Sequence, residues 1–114
     1  MTEDVHRICP RYHSAIELIG ARWTGAILVA LMEGNDRYGQ IKAAVPGLSD
    51  TMLADRLRTL EDEGIVERRV VASTPVRVSY HLTDKGRDLE QVVEAVRSWS
   101  HRWIPVPGEE PVTR

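Results

Sequence analysis

Apolar residues follow two different periods along the chain, and the change between them falls at Gly64. Before it the period is helical. Tyr12, Ala15, Ile16, Leu18 and Ile19 form a stripe that closes at Gly20, and Pro10 suits the first turn of that helix. Residues 2–10 read as loosely structured. Trp23, Ala26, Ile27, Ala30 and Leu31 mark a second helix, widened by Leu28 and Val29 until it is apolar on most sides. Such a helix is predicted to be the most buried member of a small bundle. Gly34-Asn35-Asp36 ends it, Arg37-Tyr38 forms a link, and Ile41, Ala44 and Val45 predict a short helix over residues 40–45.

Pro46-Gly47 breaks that helix, and residues 46–64 then read as one element with a marked start and stop. Ser49 is a hydroxyl N-cap, Asp50 places negative charge where the helix dipole favours it, and Gly64 suits the position just past the end. Leu53, Leu57 and Leu60 share one face, and at about 100° per residue Thr51, Asp55, Arg58 and Asp62 take the opposite one. Two helices joined by a short glycine-containing turn make a helix-turn-helix, whose second helix reads DNA.

After Gly64 the period becomes two. Residues 65–72 are rich in β-branched side chains, and Val76, Val78, Tyr80 and Leu82 alternate with Arg77, Ser79, His81 and Thr83. With Ala72-Ser73-Thr74-Pro75 as the turn, this predicts a hairpin with one apolar face on the bundle, the wing of a winged helix. Thr83 is an N-cap for a last helix running from residue 84 to about 103. Its seam of Leu89, Val92, Val96, Trp99 and Trp103 alternates steps of three and four. Pro105 and Pro107 stop it, leaving a frayed tail. The expected fold class is mainly α with a small β-hairpin, a single winged helix-turn-helix domain over residues 1–114. Its reading helix spans about 49–63, its wing about 65–82 and its dimerisation helix about 84–103.

Composition narrows the function. The chain has 114 residues, enough for one core and not two. No apolar run approaches membrane-spanning length and MTEDVHRICPR lacks a secretory core, so a cytoplasmic protein without a membrane partner is expected. The net charge of −2 argues weakly against nucleic acid, but its distribution points the other way. Basic residues outnumber acidic ones by two between Arg37 and Arg87, and each flank has an acidic excess of two. One cysteine excludes an internal disulfide and a Cys-rich zinc site. His6, His13, His81 and His101 lack metal-site spacing and read as dispersed surface residues, so no metal or cofactor is expected. The chain carries no glycine-rich phosphate loop, HExxH, GxSxG or carboxylate pair, and enzyme activity is not expected.

The candidate DNA-binding residues fall into two groups. Ser49, Asp50 and Thr51 lie at the end of the reading helix that enters the major groove. Arg58, and Arg56 at the flank, suit phosphates or guanine O6/N7. Asp55 repels phosphate, so it either accepts from a cytosine N4 or tethers Arg56 or Arg58; the tether is favoured. Arg37, Lys42 and Arg77 suit phosphate positioning. By itself, the same helix also fits an ordinary amphipathic surface helix, and the hairpin and cap decide for DNA. Leu89, Val92, Val96, Trp99 and Trp103 are the candidate dimer interface, because two tryptophans one turn apart are hard to cover in so small a domain. A symmetric dimer implies an inverted-repeat operator. Cys9 reads either as an ordinary reduced thiol or as a redox sensor, the latter because it precedes a helix turn between Arg7 and Arg11.

From Cys9 to Trp99 the chain resembles the HxlR family of bacterial transcriptional regulators, relatives of the MarR-type winged-helix proteins. The shared pieces, in order, are Cys9-Pro10, Ile19-Gly20-Ala21-Arg22-Trp23-Thr24, Glu33-Gly34 with Arg37-Tyr38, PGLSDTMLADRLRTLEDEGIVER and PVRVSYHLTDKG. The resemblance implies a homodimer on double-stranded operator DNA, with N- and C-terminal dimerisation helices, usually acting as a repressor. It implies a candidate oxidant-sensing role for Cys9, because some members sense oxidants through a cysteine at this place. A small-molecule effector pocket, as in MarR-type relatives, is a further implication that no residue announces. Tyr38 stands where the family usually has Phe, Gly39 where a polar residue is common, and Ala21 replaces a frequent Gly. Asp55 replaces the more usual Gln, Glu or Arg and marks where operator preference departs from the family's. The alternative function is a winged-helix module for protein–protein contact, which net acidity mildly favours.

Overall fold

The structure, a computed structural model, describes residues 7–107. In chain order it contains α1 (Pro10–Ile19), α2 (Thr24–Met32), α3 (Tyr38–Ala44), α4 (Asp50–Asp62), β1 (Val66–Val71), β2 (Arg77–Leu82), α5 (Asp84–Arg87) and α6 (Glu90–Trp103). The strands pair antiparallel, with Val66 opposite Leu82 and Val71 opposite Arg77. His6 and the tail after residue 107 lie outside the described residues.

The core forms where the apolar pattern places it. Ile27 and Leu28 of α2, Ile41 of α3, Leu53, Leu57 and Leu60 of α4, and Ile65 are fully buried. Burial of each leucine on α4 contributes about 2 kcal/mol, more than any surface contact of that helix supplies. Helix α2 lies at the centre and touches α1, α3, β2 and α6. Val66, Val78, Tyr80 and Leu82 bring one face of the hairpin towards this core, whereas Val76 lies in the loop and is exposed. No single helix among the described residues is long and apolar enough to cross a membrane.

Three boundaries differ from expectation. Helix α3 starts at Tyr38, before Gln40, because the Gln40 side-chain oxygen accepts from the backbone N–H of both Asp36 and Arg37, at 3.2 Å each. That contact caps the helix from within. Trp23 precedes α2 in a left-handed conformation (φ 77°) and does not begin it. The last helix is two helices. Gly86 is buried so close to the Ile65 carbonyl that a Cβ would clash, which seats α5 tightly on the hairpin base. The helix is then interrupted at Asp88-Leu89, where the Leu89 N–H donates to the Gly86 carbonyl in a tightened turn, 3.0 Å.

The terminal helices contrast with the centre. Neither α1 nor α6 contains a fully buried residue. The radius of gyration is 17.0 Å, against about 13 Å for a compact domain of this length.

Candidate nucleic-acid interface

Helix α4 is fixed at both ends. At its start the Ser49 hydroxyl accepts from the Met52 N–H at 3.1 Å, the N-cap that its sequence predicts. The Tyr38 phenol of α3 donates to the Asp50 carbonyl at 2.8 Å, stitching the two helices of the motif together. Burial raises the Tyr38 hydroxyl above its usual pKa, and the Asp50 carboxylate and Tyr80 push it the same way. At the other end Gly64 adopts φ 74°, and the N–H groups of Gly64 and Ile65 close onto the carbonyls of Glu61 and Leu60, both at 2.9 Å. Lys85 Nζ donates to the Glu63 carbonyl at 2.5 Å, and the Thr83 hydroxyl to that of Gly64 at 2.6 Å. Thr83 also caps α5 by accepting from the Gly86 N–H at 3.1 Å.

Between these ends α4 presents a polar outer face. Asp50, Thr51, Asp55, Arg58 and Asp62 are exposed, opposite the leucine seam. Arg58 makes no ion pair among the described residues, so its guanidinium is free for an anion. Arg56 differs. Its side chain is 21% exposed, and its Nη1 donates to Asp55 Oδ2 at 2.6 Å. Its Nε donates to the Arg22 carbonyl, 2.8 Å away in the corner between α1 and α2. The tether on Asp55 therefore forms with Arg56 and not with Arg58.

The other candidate cations lie on elements adjoining the helix in sequence. Arg37 occupies the N-cap of α3 and Lys42 its last turn; neither forms an ion pair among the described residues. Arg77 opens β2 in the last strand pair before the loop, also unpaired among the described residues. The Tyr80 N–H donates to the Asp36 carbonyl at 2.8 Å, which anchors the wing to the link between α2 and α3. The outer face of the wing carries Glu67 and Arg69, paired at 3.0 Å, and Ser79 and His81, in contact at 2.7 Å. Among the described residues no group of three or more His, Cys, Asp or Glu side chains is placed to hold a metal.

The candidate interface residues on α6 separate into two sets. Leu89, in the turn before the helix, packs against the core. Val92, Val96, Trp99 and Trp103 are exposed, as are Tyr12 and Ile16 of α1. Between α1, α2 and α6 lies an apolar groove of about 370 Å³, bordered by Ile16, Ile19, Val29, Val92 and Val96. Cys9 is the N-cap residue of α1, exposed, with its carbonyl accepting from the His13 N–H at 3.0 Å.

Several contacts of this site have only faint sequence signals. The Tyr38 hydroxyl binds a backbone carbonyl 12 residues further along the chain. The partners of Lys85 and Arg56 are backbone carbonyls 22 and 34 residues away, which no local pattern reveals.

Residues 18–107 match the model of the HxlR-like helix-turn-helix family. The HTH-type transcriptional regulator YodB of Bacillus subtilis (strain 168) is 42% identical over 102 residues, covering 90% of this chain and 90% of YodB. The HTH-type transcriptional regulator YvaP of the same organism is 41% identical over 97 residues, 85% of this chain and 90% of YvaP. In three dimensions the fold is similar to the reduced form of YodB, with TM-score 0.76 over 90% of this chain and all (100%) of that one. It is also similar to the redox regulator HypR in its oxidised form, with TM-score 0.79 and 33% identity over 86% of this chain and 100% of HypR. With its capped helix α4, its β-hairpin and these relatives, the chain belongs to the HxlR family of DNA-binding, winged helix-turn-helix transcriptional regulators.

Proposed function

We propose that the protein is a homodimeric repressor that binds an inverted-repeat operator, without enzymatic activity, in the cytoplasm. The supporting observation is the outer face of α4, where Thr51, Asp55 and Arg58, without an ion pair among the described residues, stand exposed on a helix held at both ends. In this reading Ser49, Asp50 and Thr51 enter the major groove first. Arg58 takes a phosphate or guanine, and Arg37, Lys42 and Arg77 hold the backbone. A second copy covers the apolar groove and the exposed Val92, Val96, Trp99 and Trp103 of α6, placing two reading helices about 34 Å apart. Footprinting of the upstream intergenic region across a salt series tests this. Two protected half-sites about one turn apart and steep salt dependence are expected. A flat salt response would favour a protein–protein module instead.

The same proposal makes Cys9 the redox-responsive group. It is exposed at the start of a helix that belongs to the uncovered face, and a diamide-treated form of YodB, 42% identical, is among the similar structures. Diamide should release wild-type protein from its operator and leave Cys9→Ser bound. Equal release of both proteins would remove Cys9 from the mechanism.

A further inference from the structure

We infer that Arg56 is a positioning residue that clamps the reading helix to the corner between α1 and α2, and that it does not contact DNA. The inference rests on α4 being the reading helix. The Arg56 side chain sits on the flank of α4 with two of its guanidinium nitrogens engaged: Nε on the Arg22 carbonyl at 2.8 Å and Nη1 on Asp55 Oδ2 at 2.6 Å. The Asp55 carboxylate already offsets its charge and the side chain is only 21% exposed, which leaves Arg56 a poorer phosphate ligand than a fully exposed cation. Arg58, two residues on, is the cation that points outward unpaired among the described residues.

The corner that Arg56 grips is itself unusual. The accepting carbonyl belongs to the residue before Trp23, the one non-glycine with positive φ among the described residues (77°). That conformation is costly for a residue with a Cβ and persists only where its surroundings hold it. Three contacts do so. Arg56 binds the preceding carbonyl, the Arg22 guanidinium lies over the Trp23 ring at 5.1 Å, and the indole reaches the turn between α3 and α4. There the indole lies 3.4 Å from where a Cβ on Gly47 would be. The corner is thus held from the reading helix and from the turn before it.

The clamp also fixes Asp55. Its carboxylate remains 53% exposed on the reading face while paired with Arg56, so Arg56 sets where that negative charge lies over the bases. A lysine offers one ammonium and cannot reproduce the two-armed geometry.

The test uses the full-length protein, its own upstream DNA and a random duplex of equal length. Arg56→Gln and Arg56→Lys should each lower specific affinity about 10-fold. Non-specific affinity and the slope of log K against log salt should stay at wild-type values. Arg58→Gln should reduce that slope by about 0.9. A purely structural role would lower the active fraction without changing the ratio of specific to non-specific affinity. A reduced slope in Arg56→Gln with full affinity in Arg56→Lys would identify a phosphate ligand and overturn the inference. In wild-type protein, the Arg56 Nε–H signal in ¹⁵N NMR should be protected from exchange and should hold its position when DNA is added. Its displacement by DNA would equally overturn the inference, even if the variants fail to fold. Absence of salt-dependent binding by the wild type would count against α4 as a reading helix, while the protected Nε–H would still report the clamp.

Discussion

The Tyr38 phenol and the Asp50 carbonyl are 2.8 Å apart, joining the first helix of the motif to the first turn of the second. Tyr38→Phe keeps the ring and removes the bond, at a cost of about 1 kcal/mol in a denaturant titration. The same pair predicts an alkaline response. Because the folded pKa is raised, the neutral phenol is favoured in the fold. Its contribution is complete below the unfolded value of about 10 and is lost as pH rises through the higher folded value. Tyrosinate absorbance should show one late-titrating tyrosine that is missing in Tyr38→Phe.

Ser49 separates capping from charge. Ser49→Ala should cost about 1 kcal/mol of stability. Ser49→Asp should keep the cap and still weaken operator binding, since it sets a carboxylate beside the groove. Loss of stability in Ser49→Asp equal to that of the alanine variant would contradict this.

Two glycines in helices should respond in opposite directions. Gly86→Ala forces a Cβ onto the Ile65 carbonyl and should cost about 1–3 kcal/mol. Gly39, on an exposed face of α3, has nothing within 4 Å of a Cβ, and alanine there should gain about 0.5–1 kcal/mol. Thermal melts of the two variants should move to either side of the wild type.

Trp99→Ala combined with Trp103→Ala should weaken self-association by at least about 10-fold, read by sedimentation over a dilution series. A double variant that sediments as tightly as the wild type would place the interface elsewhere.

What the sequence reveals here is whatever local chemistry decides. Ser49, Gly64 and Thr83 act where they stand, because caps and stops depend on a few neighbouring backbone groups. The leucine seam of α4 is legible for the same reason, its period being set by the helix itself. The break at Asp88-Leu89 escapes such a reading, since the close fit of Gly86 against the Ile65 carbonyl is made between residues distant in sequence. Trp23 looks like the first apolar residue of α2 and is instead held left-handed from outside. On paper Arg56 and Arg58 differ only as flank and outer face, and both suit phosphate or guanine. Their difference depends on a carbonyl that only the folded chain brings near.

Helix α1 has ten residues and buries none of them. A peptide of that length does not hold a helix in water by its own propensity, which usually needs about 12–15 residues. Within the chain its packing rests on the half-buried Leu18 and Ile19 at its end, and any further order that a second copy supplies obeys mass action. Helical content would then fall on dilution before the core around α2 melts. The cellular abundance of the regulator would thereby set how much of it has a fully ordered α1.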